Sequence, residues 1–257
     1  ITCAAQANPD DITYVWAGGP ANSNSKILTI HNRTEGGYYT CKARNKMQPS
    51  VGDLQPGEDT KNIYVNAYYK PYNVRLSPTS DTITKVENDT LHNIKCESSA
   101  NPTSRYVWVF NSTTKQSSSD TLILGKLNRG HHGSYKCEAS NDVGYNTVEF
   151  FLVVEYPSEV TYFRSSTDLL PVLEKSDFFL TCHADSRPAS KIEIYLESTK
   201  LKEGPGILTL VYTVPNASCR HMGTYSCVAN NGRGNSVYKR FITVHCSPAD
   251  DDMHHSQ

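Results

Sequence analysis

One nine-residue phrase, Gly-x-Tyr-x-Cys-x-Ala-x-Asn, occurs three times in this chain, at residues 37–45, 133–141 and 223–231. Each copy follows another cysteine that has a proline six residues after it: Cys3 with Pro9, Cys96 with Pro102, Cys182 with Pro188. The copies lie roughly 90 residues apart, long enough for each to bury a core of its own, so the period marks repeated domains and not a solenoid. Between the copies run short stretches rich in Val, Ile, Tyr and Thr, broken by clusters of Asn, Ser, Gly and Pro, and no helical period is sustained. That pattern predicts an all-β chain.

In a two-sheet sandwich a tyrosine two residues before a strand cysteine can hydrogen-bond back to the corner it follows, and a tryptophan on an inner strand packs beside the cysteines. Trp16 and Trp108 stand a dozen or so residues after Cys3 and Cys96. With Cys, Trp and Tyr-x-Cys in this order, the chain resembles the immunoglobulin superfamily over nearly its whole length, and in particular the tandem ectodomains of adhesion and recognition proteins of the nephrin and hemicentin kind. The resemblance implies three tandem immunoglobulin-like β-sandwiches in an extended rod, with bridges Cys3–Cys41, Cys96–Cys137 and Cys182–Cys227. Each would close a loop of about 40 residues, worth on the order of 4 kcal/mol in the chain-entropy model. Loops of that length leave no room for the two extra strands of variable-type domains, so the modules are expected to be I-set or constant-like.

Departures from the family pattern are local. The third module has no Trp; alternation in residues 191–196 turns Ile192, Ile194 and Leu196 to one face, so Ile194 is expected in the Trp slot, with Tyr195 as a rival. The family's acidic residue two before the phrase is Glu35 in the first copy but His131 and His221 in the others, which predicts that an ion pair is missing from the last two modules. Two of the eight cysteines remain. Cys219 precedes the third phrase and Cys246 ends the last strand, so antiparallel geometry brings both to one pole; a Cys219–Cys246 bridge is expected, with a link between two chains as the alternative.

Pro-marked junctions around residues 67–71 and 154–157 divide the chain into modules 1–67, 68–155 and 156–246, followed by a polar tail, 247–257, expected to be disordered. The opening residues Ile1-Thr2-Cys3 read as already inside a second strand, so the first module is expected to lack its first strand and the chain to be a fragment of a longer ectodomain, attached to any membrane only through regions outside it. Acceptor triplets at Asn32, Asn88, Asn111 and Asn216 predict N-linked glycans, which together with the cysteines place the chain outside the cell, at the surface or secreted.

Nothing supports an enzyme. No nucleophile, base and orienter can be assembled, the nine histidines show no metal-ligand spacing, and no cofactor motif appears. A net charge of −1 without a basic run argues against nucleic acid. Asn231-Gly232-Arg233 reads as a hairpin turn.

What remains is recognition of a protein partner, homophilic or heterophilic, by an immunoglobulin-like ectodomain in cell adhesion or as a surface receptor. Alternatives are a secreted immune recognition molecule and the ligand-binding part of an enzyme-linked receptor. If the family's habit holds, the binding face is the sheet of the third, sixth and seventh strands. In the first module the residues alternating with Trp16, Tyr39 and Cys41 are Thr13, Val15, Thr40, Lys42, Arg44 and Tyr64. The stretch from Lys46 to Thr60 is longer than its counterparts and is expected to be a loop with Met47, Val51 and Leu54 as apolar tips.

Overall fold

The computed structural model describes residues 1–7, 11–47, 51–53, 55–167 and 170–246. Pro9, Leu54 and the tail 247–257 lie outside the described residues, as does the side chain of Met47. Among the described residues, every regular element apart from three single-turn 3-10 helices is a β-strand.

By packing, the chain divides into two compact units. The first comprises Ile1–Ser80, Ile94–Leu122 and Tyr135–Glu149; the second comprises Asp81–Asn93, Ile123–Ser134 and the chain from Phe150 onward.

In the first unit, β1 (Thr13–Ala17), β2 (Gly37–Met47) and β3 (Gln55–Val65) form a three-stranded antiparallel sheet with β2 in the centre. Trp16 pairs with Cys41, and the β2–β3 ladder runs without a break from Gly37 opposite Val65 to Met47 opposite Gln55. Trp16, Leu28, Tyr39 and Cys41 are buried together, flanked by Cys3, Tyr14, Ile63 and Val65, and Cys3 is bonded to Cys41 across this core. The ladder corrects the expected loop from Lys46 to Thr60. Beside its shorter counterparts the stretch reads as a long connection, but Lys46 and Met47 pair with Pro56 and Gln55, and opposed backbone N–H and C=O groups satisfy each other better in a ladder than in a loop. Pro56, which has no N–H to donate, is tolerated because β3 is an edge strand. The same unit holds the sheet of Tyr69–Ser77, Ile94–Asn101 and Thr121–Leu122, and the pairing of Arg105–Phe110 with Thr114–Ser117 and with residues 135–140, where Trp108 stands opposite Cys137. Cys96 and Cys137 are bonded.

The second unit carries the clearest alternation. Strand Phe178–Arg187 buries every other residue, as does Gly223–Asn230 up to its last position. Residues 178–183 pair with Thr209–Val214 on one side, and the strand pairs with residues 156–165 on the other. A second sheet runs Thr199–Ile207, Ser190–Leu196, Gly223–Asn230, Asn235–Ile242. Cys182 is bonded to Cys227 between them, and Ile194, fully buried, stands opposite Cys227 as Trp16 and Trp108 stand opposite their cysteines. Tyr195 turns to the other face and donates its hydroxyl to Glu193. Two short parallel pairs, residues 82–86 with 151–155 and Val172–Leu173 with Val244–His245, complete the unit.

Candidate interaction face

The repeated phrase is built around one corner. Each copy is preceded by a 3-10 turn, Arg33–Glu35, Arg129–His131 or Cys219–His221, whose N-cap is Asn32, Asn128 or Ser218. The third residue of the turn reaches back with its side chain. Glu35 accepts from the His31 N–H and from Asn32 Nδ2, while His131 Nδ1 accepts from the Asn128 N–H and His221 Nδ1 from the Ser218 N–H, at 3.2 and 3.0 Å. The substitution of His for the acidic residue therefore keeps an acceptor where the turn needs one, provided the imidazole is neutral. Burial, with the neighbouring Arg220 charge behind it, pushes the His221 imidazole below its ordinary range. The phrase tyrosine then closes the corner: Tyr39 donates to the Glu35 carbonyl at 2.6 Å and Tyr225 to the His221 carbonyl at 3.0 Å. Burial raises the Tyr225 phenol to about 12, so it stays a donor. The phrase glycine is fixed by space and by backbone: Gly223 sits at φ 152°, and a Cβ there would lie 3.0 Å from Leu196 Cδ1.

With the corner and the disulfide holding one side of β1, β2 and β3, the other side is free to be a surface. Directly paired residues share a face, so the outer face reads as rungs: Thr13–Arg44–Glu58, Val15–Lys42–Thr60, Ala17–Thr40–Asn62, and Tyr38–Tyr64. Arg44 Nε donates to Glu58 at 2.6 Å, and Lys42 Nζ lies 3.8 Å from the same carboxylate. The Arg44 hydrogen bond, ahead of the Coulomb pull of either cation, holds the Glu58 carboxyl below the usual range. Thr40 Oγ1 donates to Asn62 at 2.7 Å. Tyr38 and Tyr64 are 74 and 62% exposed with ring centroids 4.8 Å apart. The structure thus brings Thr13, Val15, Lys42, Arg44 and Tyr64 onto one face, with Val15 and Lys42 half-buried in it. Val51 is exposed. Tyr38 was missed by the sequence reading, although simple alternation from buried Tyr39 points it outward. The acceptor residues Asn32, Asn88, Asn111 and Asn216 are all exposed, three of them in turns with positive φ, and none belongs to these rungs.

Two models of the immunoglobulin domain match the chain, at residues 70–141 and 161–246, which together make up more than half of it. The chain belongs to the immunoglobulin superfamily. Hemicentin-1 of Mus musculus is 27% identical over 96% of this chain, and the neuronal cell adhesion molecule of Mus musculus is 27% identical over 91% of it. The chain spans only 5 and 19% of the lengths of those two proteins. Among solved structures, the complex of Dpr2 Ig1-Ig2 with DIP-Theta Ig1-Ig3 is 16% identical with a TM-score of 0.61, covering 93% of this chain and 91% of that one. The I67-I69 fragment of titin is 18% identical with a TM-score of 0.51, covering 92 and 89%. These likenesses establish an all-β immunoglobulin tandem.

The family phrase also explains residues whose role the sequence did not reveal. In the first unit Asn141, the last residue of its phrase, donates through Nδ2 to the carbonyls of Tyr69 and Pro102; in the second unit Asn231 does the same to Tyr156 and Pro188. In these two copies the phrase Asn and the Cys-linked Pro are therefore one device that holds the entering strand. The first residue of the preceding turn secures the exit. Arg33 lies over the Tyr72 ring at 3.8 Å, and Arg129 lies over Tyr156 at 4.3 Å. Arg129 also donates to Glu87 at 3.2 Å and Asp185 at 2.9 Å, and Arg233, expected to be a plain turn residue, donates through Nε to Glu155 at 2.7 Å. In the third turn the equivalent position is Cys219, bonded to Cys246. Among the described residues no group of three or more His, Cys, Asp or Glu is placed to hold a metal ion.

Proposed function

We propose that this chain is an extracellular recognition array of three modules, 1–67, 68–155 and 156–246, the first of which presents the outer face of β1, β2 and β3 to another immunoglobulin-like protein, in cell adhesion or as a surface receptor. The observation that carries the reading is the exposed Tyr38–Tyr64 pair beside Lys42, Arg44 and Glu58. Tyr and Arg are the side chains that dominate interface energetics, because they bring large contact area and directional hydrogen bonds at modest entropy cost. Kinship with a neuronal cell adhesion molecule and a fold shared with a complex of two immunoglobulin proteins support the same class of partner. Four disulfides favour an oxidising compartment. Glycans at Asn32, Asn88, Asn111 and Asn216 would leave the face bare. No described helix is long and apolar enough to cross a membrane.

The test is light scattering coupled to size-exclusion chromatography on protein from a secreting host, up to tens of micromolar, with a parallel screen against immunoglobulin ectodomains. Reversible dimerisation abolished by Tyr38→Ala with Tyr64→Ala, or by Arg44→Glu, gives the homophilic form. A monomer that captures a different ectodomain through the same residues gives the heterophilic form. Partner binding that both variants leave unchanged rejects this face.

A further inference from the structure

The three turns before the phrases differ at their first residue, which is Arg33, Arg129 or Cys219. Arg33 and Arg129 reach aromatic rings at the start of the chain that follows their modules, Tyr72 and Tyr156. At the same turn position the third module has Cys219, and its partner Cys246 follows Val244 at the same interval as Tyr156 follows Val154. A noncovalent latch on the outgoing chain has been replaced by a bond.

We infer that the Cys219–Cys246 bridge is a tension bypass, which routes a pull on the chain beyond Cys246 directly into Cys219 and keeps it off the last strand. The topology makes this so. Cys227, already bonded to Cys182, lies inside the loop of 27 residues that Cys219 and Cys246 close, so the two bridged loops overlap. Without the second bridge, tension entering at Cys246 would travel along Asn235–Ile242, peel that edge strand from Gly223–Asn230, and break the parallel contact in which Val172 donates to Thr243 and Glu174 to His245. With it, the shortest covalent path from Cys246 to Cys182 passes through Cys219 and the few residues up to Cys227. The strand Asn235–Ile242 and the turn carrying Asn231 and Arg233 sit on a slack branch. The contacts of Asn231 with Tyr156 and of Arg233 with Glu155 are thereby spared as well. An adhesion array is pulled on by its partners, but the bypass depends on connectivity alone and stands whatever the array binds.

The bypass shortens the extensible path between Cys227 and Cys246 by about 11 residues, which at about 3.5 Å each is about 40 Å. Single-molecule pulling on the whole oxidised chain, with handles at both ends, reads this directly. The Cys219→Ser, Cys246→Ser double variant is expected to release about 40 Å more total contour length than the unaltered chain and to yield its third-module event at lower force. Equal contour lengths in chain and variant would overturn the inference. So would non-reducing peptide mapping of the unaltered chain that finds Cys219 bonded to any residue other than Cys246, a result that does not depend on the variant folding.

Discussion

Replacing Arg129 by Ala tests how firmly the second unit holds the strand that leads into its sandwich. The guanidinium bridges Glu87, at 3.2 Å, to Asp185, at 2.9 Å, and covers the Tyr156 ring at 4.3 Å; its side chain is 38% exposed. Half-exposed ion pairs are discounted for solvent screening to about 0.5–1 kcal/mol each, and an exposed cation–π contact adds about 0.5–1 kcal/mol. The contact with Glu159, at 3.6 Å and with that side chain 63% exposed, adds nothing measurable. The expected cost of Arg129→Ala is therefore about 2 kcal/mol, or about 30-fold in a local opening equilibrium. Tryptophan fluorescence would not report it, because Trp16 and Trp108 both lie in the first unit. Native-state hydrogen exchange would, at the amides of residues 159–165 and 183–187, which should exchange about 30-fold faster while residues 94–101 are unchanged. Arg129→Lys keeps the charge but loses the planar fork, and should fall between the two. A change under about threefold at the second-unit amides, or an equal change at 94–101, would refute the assignment of these contacts as a latch.

Other consequences can be checked on the same protein. Ile194→Ala removes a fully buried side chain beside the Cys182–Cys227 bridge and should cost about 2–4 kcal/mol, read as a lower calorimetric transition. Stability should fall with acid, because burial depresses the imidazoles of His132 and His221, aided by Arg187 and Arg220 respectively. A depressed folded-state value means that the contribution is present above about pH 6.5, the unfolded value, and lost as pH falls through the folded one. His221→Gln, which keeps an acceptor without titrating, should flatten part of that slope in calorimetry between pH 7.5 and 5. Tyr225→Phe removes the corner hydrogen bond and should cost about 1 kcal/mol by the same measurement.

Much of the architecture was legible because it rests on local, periodic chemistry. A cysteine, a tyrosine two residues before it and strict alternation around both dictate which side chains face inward, and the inward set is what a sandwich core is made from. Spacing narrowed the tryptophan's slot to Ile194 with Tyr195 as a rival, and the pairing of Ile194 with Cys227 decided between them. The same alternation put Thr13, Lys42, Arg44 and Tyr64 on one outer face. It would have added Tyr38 had the variable position of the phrase been followed as closely as the fixed ones.

What sequence did not settle was decided by which polar groups the folded backbone brings together. The stretch from Lys46 to Thr60 reads as a loop from its length beside its counterparts, yet pairing with β2 made strand of residues 55–60, because a backbone ladder outweighs weak local preference. His131 and His221 read as the loss of an acidic residue, whereas the folded turn shows that the position requires an acceptor and accepts an imidazole. Asn141, Asn231, Arg129 and Arg233 gave no local sign of their roles, because a long polar side chain declares its function only when the fold brings a carbonyl or carboxylate within 3 Å or so. The sequence determined the core and the faces, which follow from period and composition. Tertiary structure decided the latches, because hydrogen bonds and ion pairs depend on distances that no spacing in the chain encodes.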